Sequence, residues 1–226
     1  MTAPKLELGW CLGYMALQYH MEEALIEEGL DIKDITASPS VAKFSKKYYN
    51  DINNLDHSKK YDYCFIGSIK SCVRTRQWVI DFAKKYFTCR SVFVNTDNDP
   101  TWKLLGDYDY SKINIGFCPK NQADSQSKCS QYRIVHENIF YFETMCQSMF
   151  TLCPAGDAPW SFRFYEILMC KTIPIVQTWH HTYRTIEESK IPYSYILYDN
   201  IQALSDTEYT RLVDNNNSLF KENHLF

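Results

Sequence analysis

The chain has 226 residues, of which 45% are apolar and 23% charged, and its formal net charge is −3. Its 7 glycines and 8 prolines are too few for a collagen-like or low-complexity chain. Lys and Arg are not clustered, which argues against a dedicated nucleic-acid or membrane-surface binder, because such proteins need a concentrated positive charge. Length and composition predict one or two globular domains with a sizeable core.

The nine cysteines include no C-x-x-C pair, so paired zinc-knuckle and thioredoxin-like spacings are absent. Most of them lie in apolar stretches and are expected to be buried thiols in a reducing compartment. Near the N-terminus, the apolar run Leu8–Leu17 is too short to span a bilayer and lacks a basic segment before it. The sequence therefore predicts a cytoplasmic protein without a membrane span.

Residues 1–60 carry the weakest pattern and are predicted to form a short N-terminal lobe. Residues 15–28 have helical character and end at Gly29, a plausible helix stop. Residues 43–60 are rich in Asn, Asp and Lys and are predicted to be loops. The remaining residues, 61–226, are predicted to form a second unit.

That second unit alternates strands with helices. Strands are predicted at 61–66, 91–95, 150–153, 173–177 and 193–198, and helices at 74–87, 137–149, 162–170 and 206–223. Such alternation is typical of a mostly parallel sheet with helices on both faces. The predicted fold class is therefore α/β, a Rossmann-like parallel sheet preceded by a short N-terminal lobe.

Ligands of open α/β sheets bind in the loops at the carboxyl ends of the strands. Gly67 and Ser68 form one such loop, and Arg74 and Arg76 lie near the start of the next predicted helix. Glycine allows close backbone approach to an anion, and a helix N-terminus favours phosphate. This loop is a candidate anion site, although an ordinary turn with two solvated arginines would look similar.

A second loop leads into a predicted helix that carries Arg163 and Glu166 on one face. The residues around this pair are apolar, so the helix should be buried and the two charges need partners or a cleft. One interpretation is a structural salt bridge. The other is that Arg163 neutralises a diphosphate while Glu166 accepts hydrogen bonds from ribose hydroxyls.

An ordered set of residues around this second loop resembles a known signature. Its members are Tyr141-Phe142, Thr144-Met145, Ser148, Phe150, Leu152-Cys153-Pro154, Gly156, Ser161, Arg163-Phe164, Glu166 and Ile173-Pro174-Ile175-Val176. Together they resemble the C-terminal signature of exostosin-family glycosyltransferases. Phe65-Ile66-Gly67 followed by Arg74 or Arg76 is similar to that family's strand, glycine turn and arginine helix. The resemblance covers roughly residues 61–225.

The resemblance implies half of the two-Rossmann-domain architecture called GT-B, with a nucleotide sugar held by this half. The donor-site positions that it implies are Gly67, Ser68, Arg74 or Arg76, Gly156, Ser161, Arg163 and Glu166. Full family members carry a whole Rossmann domain ahead of this region, whereas only residues 1–60 precede it here. That domain supplies much of the acceptor site in the family.

The function expected from this resemblance is transfer of a sugar from a UDP-linked donor to a carbohydrate hydroxyl, with no cofactor required. The partners would be the nucleotide-sugar donor and a glycan acceptor. A general base must take the acceptor proton, and both Asp157 and a group in the N-terminal segment are candidates.

Two alternatives stay open. In the first, Asp97 and Asp99 hold Mn²⁺ or Mg²⁺ against the diphosphate, as in metal-dependent glycosyltransferases with an Asp-x-Asp motif. Short acidic pairs are also common in turns, so this pair is not the favoured site. In the second, the chain is a non-catalytic module that binds a nucleotide sugar or a glycan.

Overall fold

The structure is a computed structural model that describes residues 6–9, 35–38, 44, 46–69, 76–95, 139–155, 162–177 and 190–225. Near the N-terminus, strands β1 (Leu6–Gly9) and β2 (Ile35–Ser38) pair in parallel and form a sheet of their own. Neither strand was predicted. The helix predicted over residues 15–28 lies outside the described residues.

A five-stranded sheet organises the rest of the described chain. Its strands are β3 (Tyr61–Gly67), β4 (Ser91–Asn95), β5 (Ser148–Leu152), β6 (Ile173–Val176) and β7 (Ile196–Leu197). They pair in the order β4-β3-β5-β6-β7, and every pair is parallel. Strand β3, the first of the five along the chain, therefore lies inside the sheet. Strand β4 lies on one side of it, and β5, β6 and β7 follow in order on the other side.

The described helices are α1 (Lys46–Asn53), α2 (Gln77–Tyr86), α3 (Ile139–Cys146), α4 (Phe162–Met169) and α5 (Asp206–His224). Strand β4 matches its predicted range, while β5 begins two residues earlier than predicted and β7 is limited to two residues. Helices α2 to α5 were also predicted, the first of them from the spacing of its apolar residues. The α/β class is thus confirmed.

Alternation along β3 shows how the two faces of the sheet are filled. Cys64 and Ile66 join the buried cluster that contains side chains of α1, α3 and α4. Phe65 joins the other cluster, which contains Trp78 and Phe82 of α2. Because successive side chains of a strand point to opposite faces, helices cover both faces, as the sequence predicted.

Helix α1 lies within the loop predicted over residues 43–60, so that prediction was wrong for residues 46–53, whereas residues 54–60 form turn and loop. Its sequence is polar, but Tyr49 and Ile52 are buried at 5% and 0% exposure. The Tyr49 ring stacks on Phe220 of α5 at 5.8 Å between centroids, and its hydroxyl donates to Asn217 Oδ1 at 2.6 Å. Tertiary packing stabilises this helix, and a boundary at residue 60 stays a prediction.

The side chain of Lys59 caps the carboxyl ends of two helices. Its Nζ donates to the carbonyl oxygens of Cys146 and Lys171 at 2.7 and 2.8 Å. Cys146 is the last residue of α3, and Lys171 follows the end of α4. The final carbonyls of a helix lack hydrogen-bond partners within the helix. A cation at this end donates hydrogen bonds to them and interacts favourably with the helix dipole. Burial lowers the pKa of Lys59 to about 8.

We expect Lys59→Met to lower the free energy of unfolding by about 1–3 kcal/mol, because two carbonyls lose a charged donor. The folded-state pKa of Lys59 lies below its ordinary value of 10.5. Between these two pH values the unfolded chain therefore binds more protons than the folded chain. The free energy of unfolding of the wild type should rise with pH in this range, and that of the variant should lack this contribution. Urea unfolding at several pH values measures both effects.

The control is Lys60→Met, because among the described residues the Lys60 ammonium pairs only with exposed Asp56, at 3.0 Å. Such surface pairs contribute little. Equal stability of the two variants would contradict the role assigned to Lys59.

Candidate functional site

The order of the strands creates a crevice at the carboxyl ends of β3 and β5. Connections from these neighbouring strands run to opposite faces, since α2 follows β3 and α4 follows β5 on the other side. This is a topological switch point, the place where open α/β sheets bind their ligands. Gly67 ends β3 there, and Cys153 to Ala155 follow β5.

Arg76 ties the two loops of the crevice together. Its Nη1 donates to the carbonyl of Ser68 at 2.6 Å, while Nε and Nη2 both donate to the carbonyl of Ala155 at 3.0 and 2.7 Å. A planar guanidinium suits this forked geometry. In the structure, Arg76 therefore fixes the loop after β3 against the loop after β5.

Gly67 provides the space that Arg163 occupies. A Cβ added at position 67 would lie 2.5 Å from Nη2 of Arg163 and 3.2 Å from its Cζ, so the guanidinium rests directly against the backbone of β3. The same guanidinium lies 5.4 Å from the centre of the Phe65 ring, a cation–π distance. Only a residue without a side chain at position 67 permits this approach.

The charge of Arg163 is incompletely satisfied. Its Nη1 is buried and has no hydrogen-bond partner among the described residues. Burial by itself lowers the pKa of this guanidinium, but Tyr141, Cys153 and Glu166 together raise it above its ordinary value. A buried N–H without a partner is costly, and an anion in the crevice would supply one.

Glu166 lies one turn further along α4 and is 7% exposed. Its Oε2 accepts from the hydroxyl of Tyr141 at 2.8 Å, and its Oε1 accepts from the hydroxyl of Tyr48 at 3.4 Å. Burial raises the pKa of Glu166, while Tyr141, Arg163 and Tyr48 act in the opposite direction.

The salt bridge expected by the structural interpretation is not formed. Within the described part of the chain, no carboxylate oxygen lies within the 4.0 Å ion-pair distance of an Arg163 nitrogen. Glu166 is held by tyrosine hydroxyls instead, although its charge still acts on Arg163 at longer range. The two charges of α4 are thus available for different partners.

The structure brings Gly67, Ser68, Arg76, Arg163 and Glu166 to one region of the fold. The other predicted site residues lie outside the described residues; these are Arg74, Asp97, Asp99, Gly156, Asp157 and Ser161. Among the described residues, no group of three or more His, Cys, Asp or Glu side chains could hold a metal ion.

Sequence reasoning gave no role to Tyr48 or Tyr141. Tyr141 belongs to the ordered signature, but nothing in that pattern shows that its hydroxyl reaches Glu166. Tyr48 lies in the segment predicted to be a loop. The one available signal was the buried acid itself, because a carboxylate on an apolar helix requires hydrogen-bond donors from elsewhere in the chain.

The described chain thus has a parallel α/β sheet whose switch point carries an arginine with one buried N–H that has no hydrogen-bond partner among the described residues. The family model of the Exostosin GT47 domain matches residues 45–197, a range that begins just before α1 and ends at β7. The chain therefore belongs to the exostosin GT47 family of glycosyltransferases. A comparison with curated proteins found no match.

A search of the described helices for a membrane span found none that combines sufficient length with sufficient apolarity.

If Arg163 binds the diphosphate that the family resemblance implies, Gly67→Ala should weaken nucleotide binding about five- to tenfold, because the new methyl group displaces its guanidinium. The melting temperature should change little, since the end of an arginine side chain can move. Calorimetric titration with UDP measures the effect. A double-mutant cycle with Arg163→Met provides the control, and Gly67→Ala should add almost nothing in that background. Additive losses would contradict the proposed coupling.

Proposed function

We propose that this glycosyltransferase domain transfers a sugar from a nucleoside diphosphate donor, UDP-linked, to a hydroxyl of a carbohydrate acceptor. The observation that carries the proposal is the buried Nη1 of Arg163, for which the described residues offer no hydrogen-bond partner at the switch point. A diphosphate supplies the acceptor oxygens and the negative charge that this position lacks.

In the proposed reaction, the bond between the anomeric carbon and the diphosphate breaks as the acceptor oxygen bonds to that carbon. Negative charge grows on the departing diphosphate, and a preorganised cation such as Arg163 stabilises it. Gly67 lets this guanidinium lie against β3, and Glu166 accepts hydrogen bonds from the ribose hydroxyls. Arg76 keeps the two loops at a fixed separation.

The acceptor hydroxyl must lose its proton to a general base. Asp157 and a group from the N-terminal segment are both candidates for this role. Arg74, Gly156 and Ser161 are proposed to complete the donor site, as the family signature implies.

A thermal-shift panel tests the proposal with UDP, UDP-sugars, GDP and AMP, each with EDTA or with Mn²⁺. We expect UDP and its sugars to raise the melting temperature in EDTA, since ligands that bind only the folded state stabilise it. Binding that requires Mn²⁺ would favour the metal-dependent alternative at Asp97 and Asp99. Failure of all nucleotides to bind would overturn the proposal.

Turnover separates an enzyme from a binding module. Release of UDP from a UDP-sugar in the presence of mixed oligosaccharide acceptors is the expected result. Binding of the donor without release, over the same acceptors, would instead identify a non-catalytic module.

We also propose that the protein works in a reducing compartment, the cytoplasm. Cys64, Cys89, Cys146 and Cys170 are free thiols, and all of them except Cys89 are buried. Interaction with the neighbouring thiol of Cys170 lowers the pKa of Cys146, although burial acts in the opposite direction.

Alkylation of the denatured protein without reductant should therefore modify all nine cysteines, as counted by intact mass. A shortfall that reductant restores would reveal a disulfide and contradict the compartment.

A further inference from the structure

Three helices converge on the carboxylate of Glu166. Tyr48 comes from α1, Tyr141 from α3 and Glu166 from α4, and the two hydroxyls meet different carboxylate oxygens at 3.4 and 2.8 Å. Tyr48 and Glu166 are 118 residues apart in the chain. Such a convergence requires the complete tertiary structure.

The remaining side chains of α4 do not explain why an acid is kept at this position. The members of this helix that surround Glu166 are apolar and at most 1% exposed: Phe164, Tyr165, Ile167, Leu168 and Met169. An apolar residue at position 166 would pack as well or better, because burying a charge costs free energy. The presence of an acid at this position is therefore better explained by binding of a ligand than by packing of the core.

Neutral donors hold this carboxylate without using all of its acceptor sites. An ionised carboxylate offers about four lone-pair sites, and the two hydroxyls occupy one on each oxygen. In an ion pair, the charges of Glu166 and Arg163 would neutralise each other. That pair is not formed among the described residues.

We propose that Tyr48 and Tyr141 are positioning residues that hold the Glu166 carboxylate in one orientation as the acceptor for the ribose diol of the donor. This inference rests on the proposed function. The hydroxyls restrict rotation of the carboxylate, so less conformational freedom is lost when the ribose binds.

The charged state of Glu166 gives a readout that a purely structural role would not alter. The titratable groups around it are Tyr48 on α1, Tyr141 on α3, and Arg163 and Cys170 on or just after α4. Burial raises the pKa of Glu166, and the two hydroxyls and Arg163 oppose this effect. Removal of either hydroxyl should raise that pKa further. As the pH is lowered, binding that needs the ionised carboxylate should then be lost at a higher pH than in the wild type.

The experiment compares Tyr141→Phe and Tyr48→Phe with Tyr49→Phe as the matched control. Tyr49 lies next to Tyr48 on α1, but its hydroxyl bonds to Asn217 rather than to Glu166. Each variant is titrated calorimetrically with UDP and with 2′-deoxy-UDP at a series of pH values from neutral downward, since a raised carboxyl pKa brings protonation of Glu166 closer to neutral pH.

Tyr141→Phe should weaken UDP binding about five- to tenfold and 2′-deoxy-UDP binding less, since only UDP offers the full diol. Its acid midpoint for binding should move to higher pH. Tyr48→Phe should act in the same direction with a smaller effect, because its contact is longer, and Tyr49→Phe should match the wild type.

Unchanged UDP affinity, diol preference and acid midpoint in folded Tyr141→Phe would overturn the inference while the proposed function stands. If Tyr141→Phe does not fold, the same three measurements on Tyr48→Phe decide. Failure of the wild type to bind UDP at any pH would instead overturn the proposed function, and the inference with it.

Discussion

Arg163→Met should weaken UDP binding by about ten- to a hundredfold, because a charge-assisted contact to the diphosphate contributes roughly 1.5–3 kcal/mol. Methionine keeps an unbranched chain of similar length over Phe65. The loss should be much smaller for uridine, which has no phosphate.

The same substitution should not destabilise the free protein, and this separates a ligand-binding arginine from a structural one. Breaking a buried ion pair typically costs about 3–5 kcal/mol, but no such pair is formed here among the described residues. Removing a buried N–H that lacks a partner relieves a cost. The variant also loses the cation–π contact with Phe65 and the long-range attraction to Glu166, so we expect the melting temperature without ligand to change little.

The control is Arg90→Met. Arg90 pairs with Asp62 at 3.1 Å, and its side chain is 60% exposed. It directly precedes β4, at the amino ends of the strands, whereas the crevice lies at their carboxyl ends. UDP affinity should therefore be unaffected. A lower melting temperature of Arg163→Met with unchanged UDP affinity would show that Arg163 is structural.

Glu166→Gln should also lower UDP affinity by about ten- to a hundredfold, because a neutral amide is a weaker acceptor for the two ribose hydroxyls than a carboxylate. The substitution keeps the size of the side chain. Burial raises the pKa of Glu166, so the wild type should lose affinity as the pH falls through that raised value. The variant should lack this acid limb.

Calorimetry over a range of pH tests both parts of the prediction, and Glu222→Gln, at an exposed residue in the last turn of α5, is the control. An acid limb that persists unchanged in Glu166→Gln would assign the titration to another group. Unchanged UDP affinity of the variant near neutral pH would remove Glu166 from the donor site, because the terminal phosphate of UDP, whose second pKa is about 6, can by itself produce an acid limb.

Local pattern was sufficient for the five-stranded sheet. Strands buried on both faces appear as short continuous apolar runs, so β3, β4 and β6 could be recognised without any knowledge of their partners. The alternation with helices then left a parallel sheet as the consistent arrangement.

Helix α1 shows where local pattern is misleading. Its residues Lys46–Asn53 include asparagines and an aspartate, which favour turns in isolation. Only contact with α4 and α5 makes burial of Tyr49 and Ile52 favourable enough to form the helix. The same limitation hid β1 and β2, whose four-residue lengths carry little periodic signal.

The sequence by itself determined the α/β class and brought Gly67, Arg163 and Glu166 forward as candidates. Both results depend on short-range order, namely strand-ending glycines and two charges one turn apart on an apolar helix. Tertiary structure alone decided that Arg163 packs against Gly67 and that Glu166 is held by Tyr48 and Tyr141. Those contacts join residues far apart in the chain, and no local spacing specifies which distant donor reaches a buried carboxylate.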